Sequence, residues 1–203
     1  MDEVTLIQSA KQGDLDAFNH LVLTYQEQVY NLALRLLGDD PSAQDAAQTA
    51  FIKAYKSIRT FRGGSFRAWV LRILTNVCFD ELRHQKRRPV QDLYPTDIDS
   101  GDEREDAPWL MDESISPEEY VEQLELEKAI QRCLGNLPVE FRAVITLVDI
   151  QGLGYQEAAA VVKKPLGTIR SRLARARMRV QDCLQQAGEL LPDKYRLNDE
   201  SRT

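Results

Sequence analysis

Residues 163–180 read KKPLGTIRSRLARARMRV and contain seven lysines and arginines but no carboxylate. The chain as a whole is acidic, because its 203 residues have a formal net charge of −6. Apolar residues keep helical spacing through this stretch and into the residues before it, across a turn at 164–167. Two helices that share one apolar face around a tight turn are typical of a helix-turn-helix. The stretch therefore predicts a pair of helices that binds nucleic acid.

The second predicted helix of this pair has a polar face that would fit the major groove of DNA. Arginine can donate two hydrogen bonds to a guanine edge, and either cation can neutralise phosphates. A solvated basic face is the ordinary alternative for such a run. Its coincidence with a helix-turn-helix in an acidic chain favours DNA binding. The candidate DNA-binding residues are Thr168, Arg170, Ser171, Arg172, Arg175 and Arg179, with Arg170 beside the main stripe.

The remaining periodic segments also predict helices, so the expected fold class is all-α. We expect two small helical domains, residues 1–88 and 118–187, with a loosely held tail at 188–203. Gly38 is expected to end one helix, and Asp40-Pro41 to begin the next. Residues 89–117 contain nine acids, one arginine and four prolines without a helical or strand period. That composition predicts a flexible acidic linker between the two domains.

A second concentration of positive charge lies between Arg59 and Arg88, where eight cations accompany two acids. Within the helix predicted there, a polar stripe of Arg72, Asn76, Asp80 and Arg83 lies opposite Trp69 and Ile73. An asparagine can read base edges. Asp80 either orients a basic neighbour or forms an ion pair along the helix. The chain thus offers two separate nucleic-acid surfaces.

The loop before that helix combines two glycines with an aromatic residue, which would let it accept a base splayed out of the duplex. Its candidate residues are Phe61, Arg62, Gly63, Gly64 and Ser65. Core packing explains Phe61 about as well as base stacking does. For Trp69, on the apolar stripe, core packing is the favoured interpretation.

Several classes of site and location are disfavoured. Cys78, Cys133 and Cys183 are far apart in the sequence, and each lies among apolar residues of a predicted helix. This pattern favours three small core residues over a disulfide or a metal site. Two histidines are too few for a zinc cluster or a triad. No apolar run approaches the roughly 20 residues that span a bilayer. The polar, acidic start does not match a signal peptide, so we expect a cytoplasmic protein.

Two parts of the chain resemble conserved regions of a known family. Residues 35–88, which include QDAAQTAF (44–51) and TFRGGSFRAW (60–69), resemble region 2 of the sigma-70 family in its extracytoplasmic-function (ECF) group. Residues 137–180 resemble region 4 of the same group. Where the family carries AEDLVQEVF, this chain has AQDAAQTAF, with Gln44 and Thr49 in place of acids. That departure could alter affinity for polymerase.

The resemblance implies a sigma factor that binds core RNA polymerase and directs initiation at promoters. The implied polymerase-binding residues, on the clamp helices of the largest subunit, are Gln44, Asp45, Gln48, Phe51 and Lys53. Region 4 would also meet the flap of the second subunit. The loop at 61–65 and the stripe of Arg72, Asn76, Asp80 and Arg83 would hold the minus-10 element. The face from Thr168 to Arg179 would read the minus-35 element.

The resemblance also implies an anti-sigma partner, which could hold the protein at the membrane although the chain has no span of its own. No catalytic residue, cofactor or metal is expected. The alternative function is a stand-alone helix-turn-helix regulator, but it leaves the cluster at Arg59–Arg88 unexplained. A nucleic-acid enzyme would need clustered carboxylates or a positioned nucleophile, which the sequence does not offer.

Overall fold

The computed structural model describes residues 2–87 and 116–186, and every regular element within these two ranges is helical. The first range holds α1 (Glu3–Lys11), α2 (Leu15–Leu37), α3 (Asp40–Ser57), a short 3-10 turn (Ile58–Thr60) and α4 (Phe66–Arg87). The second holds α5 (Pro117–Gly135), α6 (Val139–Ile145), α7 (Tyr155–Val162) and α8 (Leu166–Gln186). The predicted all-α class with two helical domains is confirmed. The expected linker and tail lie mostly outside the described residues.

Aspartates begin the first three helices. The carboxylates of Asp2, Asp14 and Asp39 each accept a hydrogen bond from the backbone N–H three residues later, at 3.0, 3.1 and 2.9 Å. Such N-caps satisfy donors that the helix itself leaves unpaired. Gly38 ends α2 in the left-handed conformation, as predicted. The cap of α3 is Asp39 rather than Asp40, which is already the first helical residue.

The helix α6 does not stop at Ile145 but continues as a π-helical turn over Thr146–Ile150. The wider turn is closed by a 2.8 Å hydrogen bond from the Gln151 N–H to the Thr146 carbonyl. The π turn brings Asp149 and Gln151 to positions where each bonds a distant arginine, described below.

The helix α4 is buried on more sides than its sequence suggests. Beyond the predicted stripe, Leu71, Leu74 and Cys78 are fully buried, whereas Trp69 and Ile73 are only half-buried. The helices of residues 2–87 form a first module and those of residues 116–186 a second. The reason for the extra burial is that α4 packs against α2 and α3 of the first module and against α7 of the second. The two modules share one apolar core across this contact.

Polar contacts join the modules beside this shared core. The Gln131 side chain donates to the Leu34 carbonyl at 3.1 Å and accepts from Arg35 at 3.1 Å. Arg67 of α4 donates to the side chain of Gln28 and to the backbone carbonyl of Gln151. Contacts from α2 and α4 of the first module thus fix the second one in place.

Arg142 makes the most extensive of these contacts. Its guanidinium donates to the Leu36 carbonyl at 2.8 Å, near the end of α2, and to the carbonyls of Gly135 and Leu137 at 2.9 and 3.2 Å. Burial lowers the pKa of Arg142 from its ordinary value. A cation on carbonyls at a helix C-terminus is also favoured by the helix dipole. Arg142 therefore links α2 to the turn between α5 and α6.

The expectation that all three cysteines are unpaired core residues is wrong for two of them. Cys133 of α5 and Cys183 of α8 form a disulfide, with a Cα–Cα distance of 5.7 Å. Only Cys78 is a free, buried thiol, as expected. The error arose because 50 residues separate the pair in the sequence, and only the packing of α5 on α8 brings them together.

Among residues 2–87 and 116–186, no helix has both the length and the apolar character that crossing a membrane requires.

The Arg142 contacts give the first prediction. Arg142→Ala should lower the free energy of unfolding by about 2 kcal/mol, because hydrogen bonds from a charged donor contribute roughly 1.5–3 kcal/mol. It should also increase the radius of gyration as the modules separate. Chemical denaturation and small-angle X-ray scattering measure the two effects. Arg132→Ala is the control, since Arg132 is exposed on α5. Equal behaviour of the two variants would contradict the role of Arg142.

Candidate nucleic-acid interface

The helix-turn-helix is formed by α7, a tight turn and α8. Lys163 adopts the left-handed conformation with φ of 52°, which ends α7. The Pro165 carbonyl then accepts hydrogen bonds from the N–H groups of Thr168 and Ile169, at 2.9 and 3.2 Å, in the first turn of α8. Ile169, Leu173 and Ala176 bury the inner face of α8. This packing fixes the direction in which the outer faces of α8 point.

The predicted residues on α8 do not all share one face. At 100° per residue, Thr168, Arg172, Arg175 and Arg179 form a single stripe, and Ser171 lies next to it. Arg170 lies on the opposite side of the helix, close to Arg177. Ser171, Arg175 and Arg170 are exposed, whereas Thr168 and Arg172 are half-buried. The arginines of α8 are thus not hidden against the first module.

Two of the basic side chains on α8 have protein partners. Arg177 forms a two-pronged ion pair with Asp149, with N–O distances of 2.9 and 2.6 Å. This carboxylate raises the pKa of Arg177 above its ordinary value. The guanidinium of Arg179 lies over the Phe141 ring, 5.2 Å from its centre. The structure therefore ties Arg179 to α6, while Arg172 and Arg175 lie nearest the middle of the stripe.

The second candidate surface runs along α4. Arg72, Asn76, Asp80 and Arg83 follow one another at three- or four-residue steps, which places them on adjoining turns. Asn76 and Arg83 are exposed, and Arg72 and Asp80 are half-buried. Asp80 forms an ion pair with Arg83, one of the two arrangements that the sequence left open. Asn76, in the middle of this stripe, is exposed to solvent and therefore accessible to a large ligand.

The loop before α4 holds two consecutive glycines in a conformation that other residues avoid. Gly63 and Gly64 have φ of 96° and 86°, and both are exposed beside Arg62. The Ser65 hydroxyl accepts a 3.1 Å hydrogen bond from the Ala68 N–H and so caps α4. Four of the five predicted loop residues therefore lie on the surface at the start of the α4 stripe.

Phe61, the fifth, is almost fully buried, with 5% of its surface exposed. Its ring packs 5.7 Å from the Phe66 ring and 5.3 Å from the Trp69 ring, and the Lys11 ammonium lies 5.7 Å from its centre. Of the two interpretations of Phe61, core packing and base stacking, the structure shows core packing. Its contact with a base stays a prediction. Trp69 joins the same cluster but is half-buried.

The third candidate surface is an open groove of about 520 Å³ between α2 and α3. Gln44, Gln48 and Phe51 line it, as does Ile52, which is 49% exposed. Asp45 lies two turns before Ile52 on the same side of α3, whereas Lys53 lies on the opposite side from Phe51. The sequence missed the α2 wall and part of the α3 wall, which include Phe18, Val22, Tyr30, Ile52 and Tyr55. Apolar residues of α3 that lie outside its alanine-rich buried face, such as Ile52 and Tyr55, could have indicated this groove.

Within the two described ranges, no group of three or more histidines, cysteines and acids is placed to hold a metal ion.

Comparison with known proteins agrees with this arrangement. The family model for sigma-70 region 2 matches residues 21–88, and that for sigma-70 region 4 matches residues 127–180. The RNA polymerase sigma-H factor of Pseudomonas aeruginosa is 37% identical over 186 residues, covering 89% of this chain and 92% of the relative. The ECF RNA polymerase sigma-E factor of Escherichia coli is 36% identical, with 91% and 95% covered.

Solved structures show the same fold. CnrH, in complex with the cytosolic domain of CnrY, superposes with a TM-score of 0.66 at 25% identity, covering 91% of this chain and 97% of CnrH. RpoE of Bartonella quintana, in complex with the anti-sigma factor NepR, has a TM-score of 0.62 at 24% identity, with 84% and 98% covered. The chain belongs to the sigma-70 family, in its ECF group. A stand-alone regulator is not favoured.

The glycine loop gives a stability prediction. Gly64→Ala should lower the free energy of unfolding by about 1 kcal/mol, because a Cβ disfavours the left-handed conformation. Space is not the cause, since no atom lies within 4 Å of the position that this Cβ would occupy. Gly135→Ala is the matched control, because Gly135 has equal space and no positive φ. Denaturant titration should show a lower midpoint for Gly64→Ala alone.

The α8 surface gives a binding prediction. Arg175→Ala should weaken upstream promoter recognition by about 1–3 kcal/mol if the side chain contacts a base. Arg177→Ala removes the same charge from the same helix, but its side chain already binds Asp149, so its effect should be smaller. Fluorescence anisotropy with holoenzyme and labelled promoter DNA measures both. Equal losses would indicate that only net charge matters and would refute base contact by Arg175.

Proposed function

We propose that this sigma factor docks on core RNA polymerase through the groove between α2 and α3 and recognises a promoter with its two basic surfaces. The α4 stripe and the glycine loop would hold the opened downstream strand. The α8 stripe would read the upstream element in the major groove. The observation that carries the proposal is the placement of all three surfaces on one chain, each with exposed side chains.

The groove suits a helical partner. Its walls are formed by two helices, and apolar side chains alternate with amides such as Gln44 and Gln48 along it. An amphipathic helix commonly lays its apolar face into a groove of this kind. The resemblance to region 2 implies that this partner is the clamp helices of the largest polymerase subunit. The flap of the second subunit would contact the C-terminal module.

Promoter binding would also require the modules to separate, because one rigid arrangement fixes the distance between α4 and α8. Residues 89–117 give the chain the necessary reach, since 29 extended residues can span on the order of 95 Å. The contacts of Arg67 and Arg142 would then break as polymerase binds. An anti-sigma factor that favours the docked arrangement, which the resemblance to the ECF group implies as a partner, would oppose this step.

A sigma factor in complex with polymerase works in the cytoplasm. Retention at the membrane would depend on the anti-sigma partner, and the sigma factor itself would need no catalytic residue, because the polymerase supplies the chemistry.

Placing a positive charge at the groove, or reversing a negative charge beside it, tests the proposal. Ile52→Lys should abolish retention of the chain on immobilised core polymerase, because it places an ammonium group in the apolar wall. Asp45→Lys, two turns earlier on the same side of α3, should also weaken retention. Val4→Lys is the matched control, since Val4 is 62% exposed on α1 and lies outside the groove. Run-off transcription from a genomic fragment library should follow the same order. Full retention of Ile52→Lys would place docking elsewhere.

A further inference from the structure

The disulfide joins the first and last helices of the C-terminal module. Cys133 lies near the end of α5, with 2% of its surface exposed. Cys183 lies in the last turn of α8 and is half-buried, so it is more exposed to solvent than Cys133. The two cysteines therefore differ in access but share one contact between helices.

The third cysteine has a different environment. Cys78 is fully buried in α4, within the core shared by the modules. Burial raises its pKa to about 12, so almost none of it is thiolate at neutral pH. It has no cysteine partner within the described residues. Cys78 thus serves as an internal reference for a thiol that oxidants should not attack readily.

We propose that Cys133 and Cys183 form a reversible, peroxide-responsive disulfide that fastens α8 to α5. The proposal rests on the proposed function in one respect: a protein that acts with polymerase works in a reducing compartment, where the two residues are thiols by default. Disulfides in that compartment are usually transient and often sense oxidants. The pair would then report the redox state of the cell.

The chemistry uses a peroxide as the only oxidant. The Cys183 thiolate attacks one peroxide oxygen, the O–O bond breaks, and a sulfenic acid and hydroxide form. The Cys133 sulfur then attacks the sulfenic sulfur, the S–O bond breaks, and water leaves as the S–S bond forms. In total, two thiols and one hydrogen peroxide give one disulfide and two waters. A cellular dithiol can reverse the reaction by thiol–disulfide exchange.

The bond would act on the stability of the module rather than on its base-reading face. Around Cys183 the packing is thin, because Leu184 is half-buried and Gln185 and Gln186 are exposed. By contrast, Thr168 and Arg175 lie about 22 and 12 Å from Cys183 along the helix axis. Oxidation would hold the end of α8 in place without covering the arginines, so the oxidised protein would last longer while still recognising promoters.

The purified full-length chain tests the proposal without polymerase. Reduced wild-type protein is treated with hydrogen peroxide and analysed by intact mass spectrometry and thermal unfolding, and Cys78 should remain a thiol. The mass should fall by about 2 Da, for two hydrogens lost. The unfolding temperature should rise by on the order of 10 °C, since the bond closes a long loop of the unfolded chain. Dithiothreitol should reverse both changes.

Cys183→Ser is the matched variant, because its position is partly exposed and tolerates a hydroxyl. It should show no mass loss and no rise in unfolding temperature, and limited proteolysis should cleave its α8 as fast with peroxide as without. The proposal is overturned if wild-type protein stays reduced, forms dimers between chains, or gains oxygen atoms at Cys183 instead of losing two hydrogens. None of these outcomes bears on polymerase retention, so the proposed function stands or fails separately.

Discussion

The docked arrangement of the two modules depends on the cationic side chain of Arg142, whose partners in the described part of the chain are backbone carbonyls. Its three acceptors belong to the end of α2 and to the turn between α5 and α6. Separation of the modules would expose the shared apolar core beside α4 and α7 and would also return this guanidinium to water. Because water can satisfy both the cation and the carbonyls, the polar part of the contact opposes opening only modestly.

Such a contact suits a protein that must adopt two arrangements. A larger apolar interface alone would hold the modules together too firmly, whereas polar contacts at helix ends can be exchanged for contacts with a partner. Arg67 shows the same property, since its acceptors are the Gln28 side chain and the Gln151 carbonyl. Asn76, Arg175 and Ile52, on the surfaces proposed for DNA and polymerase, are exposed while the modules are docked, so binding there can begin before the modules part.

The helices and their order could be predicted from the sequence, because caps such as Gly38 and apolar spacing are local signals. What could not be predicted depends on contacts between distant segments. The burial of Leu71 and Leu74 follows from packing of α4 against α2, α3 and α7, and the Cys133–Cys183 pair follows from packing of α5 on α8. On α8, composition indicated a basic face, but only the folded chain shows which of its arginines already have protein partners.

Those partners affect how strongly DNA binding responds to ionic strength. Counterions released from DNA scale with the phosphates that a protein neutralises, so each free cation steepens the salt dependence. Seven cations lie in residues 163–180, but Arg177 is neutralised by Asp149 and Arg179 rests on an aromatic ring. The electrolyte sensitivity of this module should therefore be milder than its composition implies, and a larger share of its affinity should come from contacts that depend on base sequence.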